Sequence, residues 1–462
     1  MKRPESLICG VSGARGIVGE GLDPVVAAAF GAAFALEMGG GPVVVGRDSR
    51  VSGPVLEAAL VAGLRGAGAD VVKIGVTPTP TVQNMVRELG AAGGVAVTAS
   101  HNPAEWNAFK FIAADGTFLT ASAAAALYRR IDEDRLAFRA YDALGGEKSD
   151  VTAIERHLAR ILALPFLDRE AIRRRGLTAV LDTTNGAGGL ILPVLLERLG
   201  VRVIGINLEP TGRFARGPEP TRENLAGLAA RVVETGADLG LACDPDVDRL
   251  ALVTGRGEPL GEEFTLALAV EFVLKRMGGG DVVTNVSTSM AIDKVAARFG
   301  GRVHRTAVGE ANVVERIREL AAAIGGEGNG GVIYPALGLM RDASVAAAIV
   351  IQHLADWGGT LQSLAETIPR FAIVKSKLPA GAADPDQVAA RLAAERPGAS
   401  VDRTDGVLLR WPDAWVHLRR SNTEPIIRVI GEAQSPEAAA ALVERALTLG
   451  GGGAGVGPGV LV

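Results

Sequence analysis

Cysteine is nearly absent from this chain. Cys9 and Cys243 are the only two in 462 residues, too few and too far apart in sequence for a disulfide framework or a cysteine metal cluster. A reducing compartment, the cytoplasm, is the expected setting. Aromatic residues are scarce at 4 %, while hydrophobic residues reach 48 %, so the cores must be filled mainly by Ala, Val, Leu and Ile. An excess of charge is missing too. The formal net charge is only −4, which gives no electrostatic reason to expect nucleic acid or an anionic membrane as a partner. Mean hydropathy is positive, +0.25, yet no run of about 20 apolar residues reads as a membrane span. The apolar stretch at 25–36 is short and ends at Glu37. No apolar run of signal-peptide length follows the basic start. The hydrolase pattern G-x-S-x-G is absent as well.

What is present is a repeated plan. A chain of 462 residues predicts three or four domains. Residues 42–103 read as strand, helix, strand, helix and strand, and the plan returns over 178–249 and again over 281–333. Apolar strands alternating with amphipathic helices predict mixed or parallel sheets covered on both faces. Eight consecutive units are lacking, which argues against a closed (β/α)8 barrel. The sequence beyond about 371 reads differently, as strands, a hairpin and one helix. The expected fold is therefore α/β: three similar α/β domains plus a C-terminal α+β domain. The boundaries read as 1–150, 151–253, 254–369 and 370–448, with a glycine-rich flexible tail at 449–462.

In each repeat the third strand runs into the most unusual loop: TASHNP at 98–103, DPDVDR at 244–249 and GEGNGG at 326–331. Open α/β sheets bind ligands beyond the carboxyl ends of their strands. In DPDVDR, an extended backbone would put Asp244, Asp246 and Asp248 on one side. Each pair at ~4 Å repels by about 4 kcal/mol at an effective dielectric near 20. A divalent cation would offset that, and all-oxygen donors favour Mg2+ or Ca2+. A solvated acidic turn is the plain alternative. Ser100 has three readings. It can cap or precede a helix starting near Pro103, although Asn102 fits the cap better. It can be an ordinary loop residue, or it can carry a phosphoryl group, whose charge a cation shared with the aspartates would balance. RRSNTEP at 419–425 offers Arg419, Ser421, Asn422 and Thr423, which suit a phosphate or simply a hairpin loop.

Taken in order, GVSGARG, GRDSR, TASHNP with NAFK, DPDVDR, GEGNGG and RRSNTEP resemble the α-D-phosphohexomutase superfamily over nearly the whole chain. TASHNP with NAFK and DPDVDR are the specific parts. GGEGNGGVI is most similar to the archaeal-type branch of phosphoglucosamine and phosphomannose mutases. The resemblance implies four domains around a central cleft and an isomerase that interconverts hexose 6-phosphate and hexose 1-phosphate. It implies that Ser100 is a phosphoserine and that one Mg2+ is held by its phosphate with Asp244, Asp246 and Asp248. Arg249 would contact the phosphoryl group, and Arg15 and Lys110 would neutralise charge and assist proton movement. Glu327 would bind sugar hydroxyls, with His101 and Asn329 also on the substrate. Arg419, Ser421, Asn422 and Thr423 would hold the phosphate that does not react. A hexose 1,6-bisphosphate would be both intermediate and activator, and the protein a cytoplasmic monomer or homodimer acting on small sugar phosphates. Glucosamine phosphate is the expected substrate, with mannose or glucose phosphate the alternative. A Mg2+-dependent sugar phosphatase is a more distant one. The sequence departs from the family pattern at Ala108 and Pro245, where glycine is frequent. It departs again at Asn329 and Gly331, where several bacterial relatives carry Ser and His.

Overall fold

The runs VVVGR, VVKIGV and GGVAV form the strands Val43–Arg47, Val71–Val76 and Gly93–Val97. Their apolar character on both faces suits parallel strands covered by helices. The crossovers are the helices Gly53–Gly66 and Thr79–Glu88. Val43–Arg47 lies in the middle and pairs in parallel with the other two. The chain then reverses: Trp106–Ala113 runs antiparallel to Gly93–Val97, and Gly13–Ile17 antiparallel to Trp106–Ala113. In this computed structural model residues 3–420, 426–451 and 460–461 are described. They fall into two compact units, Met1–Leu260 with Asn329–Ala365, and Gly261–Gly328 with Glu366–Val462.

The first unit holds that mixed sheet and a second one. Thr178–Asp182 pairs in parallel with Arg202–Ile206 and with Leu239–Cys243, and Leu250–Thr254 closes the edge antiparallel. The scarce aromatics are concentrated. Phe30, Phe34, Phe109, Phe111 and Tyr128 pack together with ring centroids 5.1–6.1 Å apart. Phe109 and Phe111 both belong to the core on that face of Trp106–Ala113, so strand alternation sends the intervening Lys110 to the other face. The helix Ala343–Trp357 is buried on every side from Ala343 to Leu354. It packs against the helices Ala153–Leu162, Arg169–Arg175 and Gly188–Leu199. Asp342 caps it, its carboxylate accepting from Ser344 N at 2.7 Å.

The second unit repeats the plan with Asp281–Asn285 in parallel register with Arg302–Thr306 and Ile324–Glu327. The C-terminal sheet is antiparallel, in the order Ser400–Asp402, Val407–Arg410, Ala414–Arg420, Ile426–Ala433, Ala372–Pro379, Val460–Leu461. Two helices pack with it, Pro385–Glu395 and Pro436–Leu449, where one was expected. The missed one starts at a capping Asp384 with Pro385 in its first turn, and it buries Val388, Ala389 and Leu392 at helical spacing. Its alanine-rich remainder hid that stripe. Most of the tail expected at 449–462 lies outside the described residues.

Candidate active site

Ser100 comes after the strand Gly93–Val97, and no helix begins at Pro103. Residues 99–106 instead form turns, with Asn102 N donating to Ala99 O and Trp106 N to Pro103 O, and the chain goes straight into the strand Trp106–Ala113. The capping reading therefore fails: two antiparallel strands are joined here, and no helix N-terminus needs satisfying. Ser100 has φ +50°, a left-handed conformation that costs a non-glycine residue energy and that the surroundings must enforce. Arg50, fully buried, does so. Its guanidinium donates to the carbonyls of Ser100 (2.7 Å), Asn102 (2.7 Å), Pro103 (2.6 Å) and Trp106 (2.9 Å). Asp48 pairs with Arg50 at 3.1 Å and accepts from the Thr98 hydroxyl at 2.6 Å, and Thr98 Oγ1 in turn accepts from Ser100 N at 3.0 Å. The last Arg of GRDSR is thus the scaffold of the serine loop.

The three aspartates converge, but not by strand alternation. DPDVDR turns: Val247 N donates to Asp244 O, and Val247 adopts φ +64°. That conformation is strained for a β-branched residue. Two contacts hold the turn. Val247 O accepts from Ala343 N, and Asp246 O accepts from Thr79 N. One oxygen from each of Asp244, Asp246 and Asp248 lies within 4.8 Å of the other two. Asp244 Oδ2 accepts from Ser100 Oγ at 2.7 Å, and its Oδ1 accepts from the backbone N–H groups of Asp248 and Arg249. Asp246 Oδ2 accepts from Thr79 Oγ1 and from Lys110 Nζ, both at 2.6 Å. Asp248 Oδ2 accepts from Arg341 at 2.8 Å and from Lys110 at 3.2 Å. The other oxygens, Asp246 Oδ1 and Asp248 Oδ1, are buried with no hydrogen-bond partner among the described residues. Two such buried carboxylate oxygens, beside an Asp244 oxygen that already meets Ser100, form a donor set suited to a hard divalent cation.

Cations ring this loop. Arg249 pairs with Glu219 at 2.6 Å. Arg15, half-buried on Gly13–Ile17, donates to Asn102 Oδ1 at 3.3 Å. Burial opposes the charge of Lys110, but Asp246 and Asp248 outweigh it and raise its pKa, so the ammonium stays protonated at neutral pH. Burial likewise works against a charged Asp248, yet Arg341, Lys110 and Arg249 hold it below the ordinary carboxylate value. Asp244 is pushed well above that value by burial and by Asp248 and Asp246. Burial, reinforced by Arg249, keeps His101 far below the usual imidazole value, hence neutral. Its Nδ1 lies 3.4 Å from Ser100 Oγ.

The first unit therefore brings together Ser100, His101, Arg15, Lys110, Asp244, Asp246, Asp248 and Arg249. Asn329 also belongs to this unit, where its Oδ1 accepts from Gly331 N at 3.2 Å. Glu327 and Arg419 lie in the second unit. Glu327 is buried, and its Oε1 accepts from Asn285 Nδ2 (2.8 Å) and Gly309 N (3.0 Å). Arg419 donates to Asp405 at 2.9 Å. Ser421, Asn422 and Thr423 lie outside the described residues. Sequence reasoning missed Arg50, Thr79, Glu219 and Arg341. GRDSR and the TPTP loop gave a local hint of the first two. Nothing in the spacing pointed to Glu219 or Arg341, because each reaches the loop only through the fold.

A serine held in a strained turn against a carboxylate trio, on repeated α/β domains, defines an enzyme of phosphoryl transfer. The chain belongs to the phosphoglucomutase/phosphomannomutase family, within the α-D-phosphohexomutases. Residues 6–137, 155–257 and 261–371 match alpha/beta/alpha domains I, II and III of phosphoglucomutase/phosphomannomutase, and 373–449 match its C-terminal domain. A phosphoglucomutase/phosphomannomutase of Thermococcus kodakarensis is 38 % identical over 449 residues, covering 95 % of this chain and 97 % of the relative. A protein of Methanopyrus kandleri named probable phosphoglucosamine mutase is 39 % identical over 437 residues, 93 % of this chain and 94 % of that one. The crystal structure of a phosphoglucomutase/phosphomannomutase family protein from Burkholderia thailandensis superposes with a TM-score of 0.86 at 29 % identity, covering 99 % of this chain and all of the other.

Proposed function

We propose that the protein is a phosphohexomutase that interconverts glucosamine 6-phosphate and glucosamine 1-phosphate through a phosphorylated Ser100. One observation carries the reading: Ser100 Oγ lies 2.7 Å from Asp244, in a trio whose other two members each keep a buried oxygen without a hydrogen-bond partner. Phospho-Ser100 gives its phosphoryl group to the free hydroxyl of the sugar phosphate. The bisphosphorylated sugar reorients, and its other phosphoryl group returns to the serine. Asp244, Asp246 and Asp248 would hold Mg2+, which when bound supplies positive charge beside the phosphoryl oxygens. Lys110 and Arg249 add fixed charge, and Arg15 adds more from the side of Asn102. Lys110, held between Asp246 and Asp248, also assists proton movement. Neutral His101 is the group placed to accept a proton near the serine. Glu327 contributes its carboxylate to sugar hydroxyls, with Asn329 beside it in sequence. Arg419 with Ser421, Asn422 and Thr423 grips the distal phosphate, whose binding energy is used at the reacting end. A cytoplasmic monomer or homodimer, divided into domains at 1–150, 151–253, 254–369 and 370–448, completes the reading, with hexose 1,6-bisphosphate as activator.

The choice of sugar rests on relatives named phosphoglucosamine mutase. The test compares kcat/KM on glucosamine, mannose and glucose phosphates with a catalytic amount of hexose bisphosphate and Mg2+. Preference for glucosamine phosphate is expected. A dominant mannose or glucose activity would move the protein to the specificity in the name of the Thermococcus relative. Release of inorganic phosphate at the rate of turnover would replace the mutase reading with a phosphatase.

A further inference from the structure

Among the described residues, Arg341 is the cation at the aspartate loop that the proposed reaction has not used. It lies in the segment LMRD, immediately before Asp342, the cap of the buried helix Ala343–Trp357. Its Nη2 sits 2.8 Å from Asp248 Oδ2, on the oxygen that Lys110 also contacts and away from Oδ1, which accepts no hydrogen bond. The backbone on either side is fastened. Asp342 N donates to Val332 O, and Ala343 N donates to Val247 O in the aspartate turn itself. Asp342 is buried against His157 at 2.8 Å, and His157 meets Thr81 at 2.8 Å. The side chain crosses Gly331 closely: a Cβ at that position would lie 2.4 Å from Arg341 Cδ. The glycine of GEGNGG and the arginine of LMRD are thus complementary, and a larger residue at 331 would displace the guanidinium.

The charges that meet at Asp248 give this geometry a meaning. Arg341 and Lys110 both place positive charge on Asp248 Oδ2, in a carboxylate that would also hold the cation. Each opposes a divalent cation bound at the other oxygen. A phosphoryl group on Ser100, carrying about −1.5 to −2, would offset that opposition. We propose that Arg341 is an internal counter-charge, a positioning residue that makes cation binding depend on the phosphoryl state of Ser100. The inference rests on the phosphoserine reading. It adds that the cation is held more tightly when Ser100 carries the phosphoryl group than when the serine is free.

The experiment is calorimetric titration of MgCl2 into the full-length protein, in unphosphorylated and phosphorylated forms separated by intact mass. Arg341→Gln should bind Mg2+ about tenfold tighter than the wild type when unphosphorylated, because one like charge is gone from a buried site. The ratio of affinities between the two forms should shrink correspondingly. Arg341→Lys should keep the wild-type ratio. An unphosphorylated Arg341→Gln that binds Mg2+ equally or more weakly overturns the proposal, since a residue that merely orients Asp248 would lose affinity on removal. Should Arg341→Gln fail to fold, Gly331→Ala displaces the same guanidinium and is expected to move Mg2+ affinity in the same direction. If intact mass never shows a phosphoryl group on Ser100, the phosphoserine reading fails by itself, and the unphosphorylated arm still decides the role of Arg341.

Discussion

The serine loop at 98–103 and the loop around Glu327 leave the third strands of equivalent repeats, yet they are wired differently. Both units use an arginine to gather loop carbonyls, fully buried in the first and half-buried in the second. In the first, Arg50 binds four carbonyls around Ser100 and pairs with Asp48. In the second, Arg305 binds the carbonyls of Asn285, Thr288 and Ser289 and pairs with Asp293. The residue held is different. Arg50 fixes a serine in a left-handed conformation, next to carboxylate oxygens that lack hydrogen-bond partners among the described residues. Arg305 braces the segment whose Asn285 donates to Glu327, a carboxylate already hydrogen-bonded to Gly309 N as well. One loop is prepared for charge that arrives and leaves. The other is a settled polar surface, suited to neutral hydroxyls. A duplicated framework thus supports two kinds of site, and the difference lies in which acceptors the fold leaves unsatisfied.

The sharpest way to break the comparison is Ser100→Ala. If this loop carries the reacting phosphoryl group, interconversion should fall by about 10⁴-fold or more, and incubation with hexose bisphosphate should leave no phosphoryl mass on the protein. Persistent turnover would make the first loop another binding surface. A second effect separates the two arginines. Arg50→Lys keeps the charge but cannot reproduce four directed hydrogen bonds, so kcat/KM should drop about 30–100-fold, since charge-assisted hydrogen bonds are worth about 1.5–3 kcal/mol each. Arg305→Lys should lower the melting temperature while leaving kcat within about threefold. Equal kinetic losses in the two variants would mean the loops are not functionally distinct.

A third effect concerns pH. Burial, and then Glu432, raise the Glu263 carboxyl to about 8 against the hydrogen bond from Ser289 N. A folded-state pKa above the unfolded value means the folded protein holds a proton that the unfolded chain has released. Stability from this group is therefore present at low pH and is lost as pH rises from about 4.5 to about 8, by up to about 5 kcal/mol. Glu263→Gln should flatten that slope when melting temperatures are compared at about pH 5 and about pH 8. An unchanged slope would remove Glu263 from the difference between the two units.

Much of the site was legible because its chemistry is local. Three aspartates within five residues, a serine at a strand end and Lys110 between two phenylalanines are visible in one dimension. So was the thrice-repeated strand–helix–strand–helix–strand plan, because hydrophobic periodicity survives in any context. The helix expected after Asn102 was not formed, since the pairing of Gly93–Val97 with Trp106–Ala113 draws the chain beyond the serine into a strand. The extended reading of DPDVDR failed for a similar reason: Thr79 and Ala343 bind the turn's carbonyls from other elements.

By itself, then, the sequence determined the repeated architecture, the family and the residues able to bear phosphoryl and cation charge, because composition, periodicity and short motifs are properties of neighbouring residues. Tertiary structure alone decided which oxygens of Asp246 and Asp248 stay without a hydrogen bond among the described residues, that Lys110 is held between two carboxylates, and that Glu219 and Arg341 reach the loop. Those outcomes depend on burial and on Coulomb interactions between segments far apart in the chain, which no local pattern encodes.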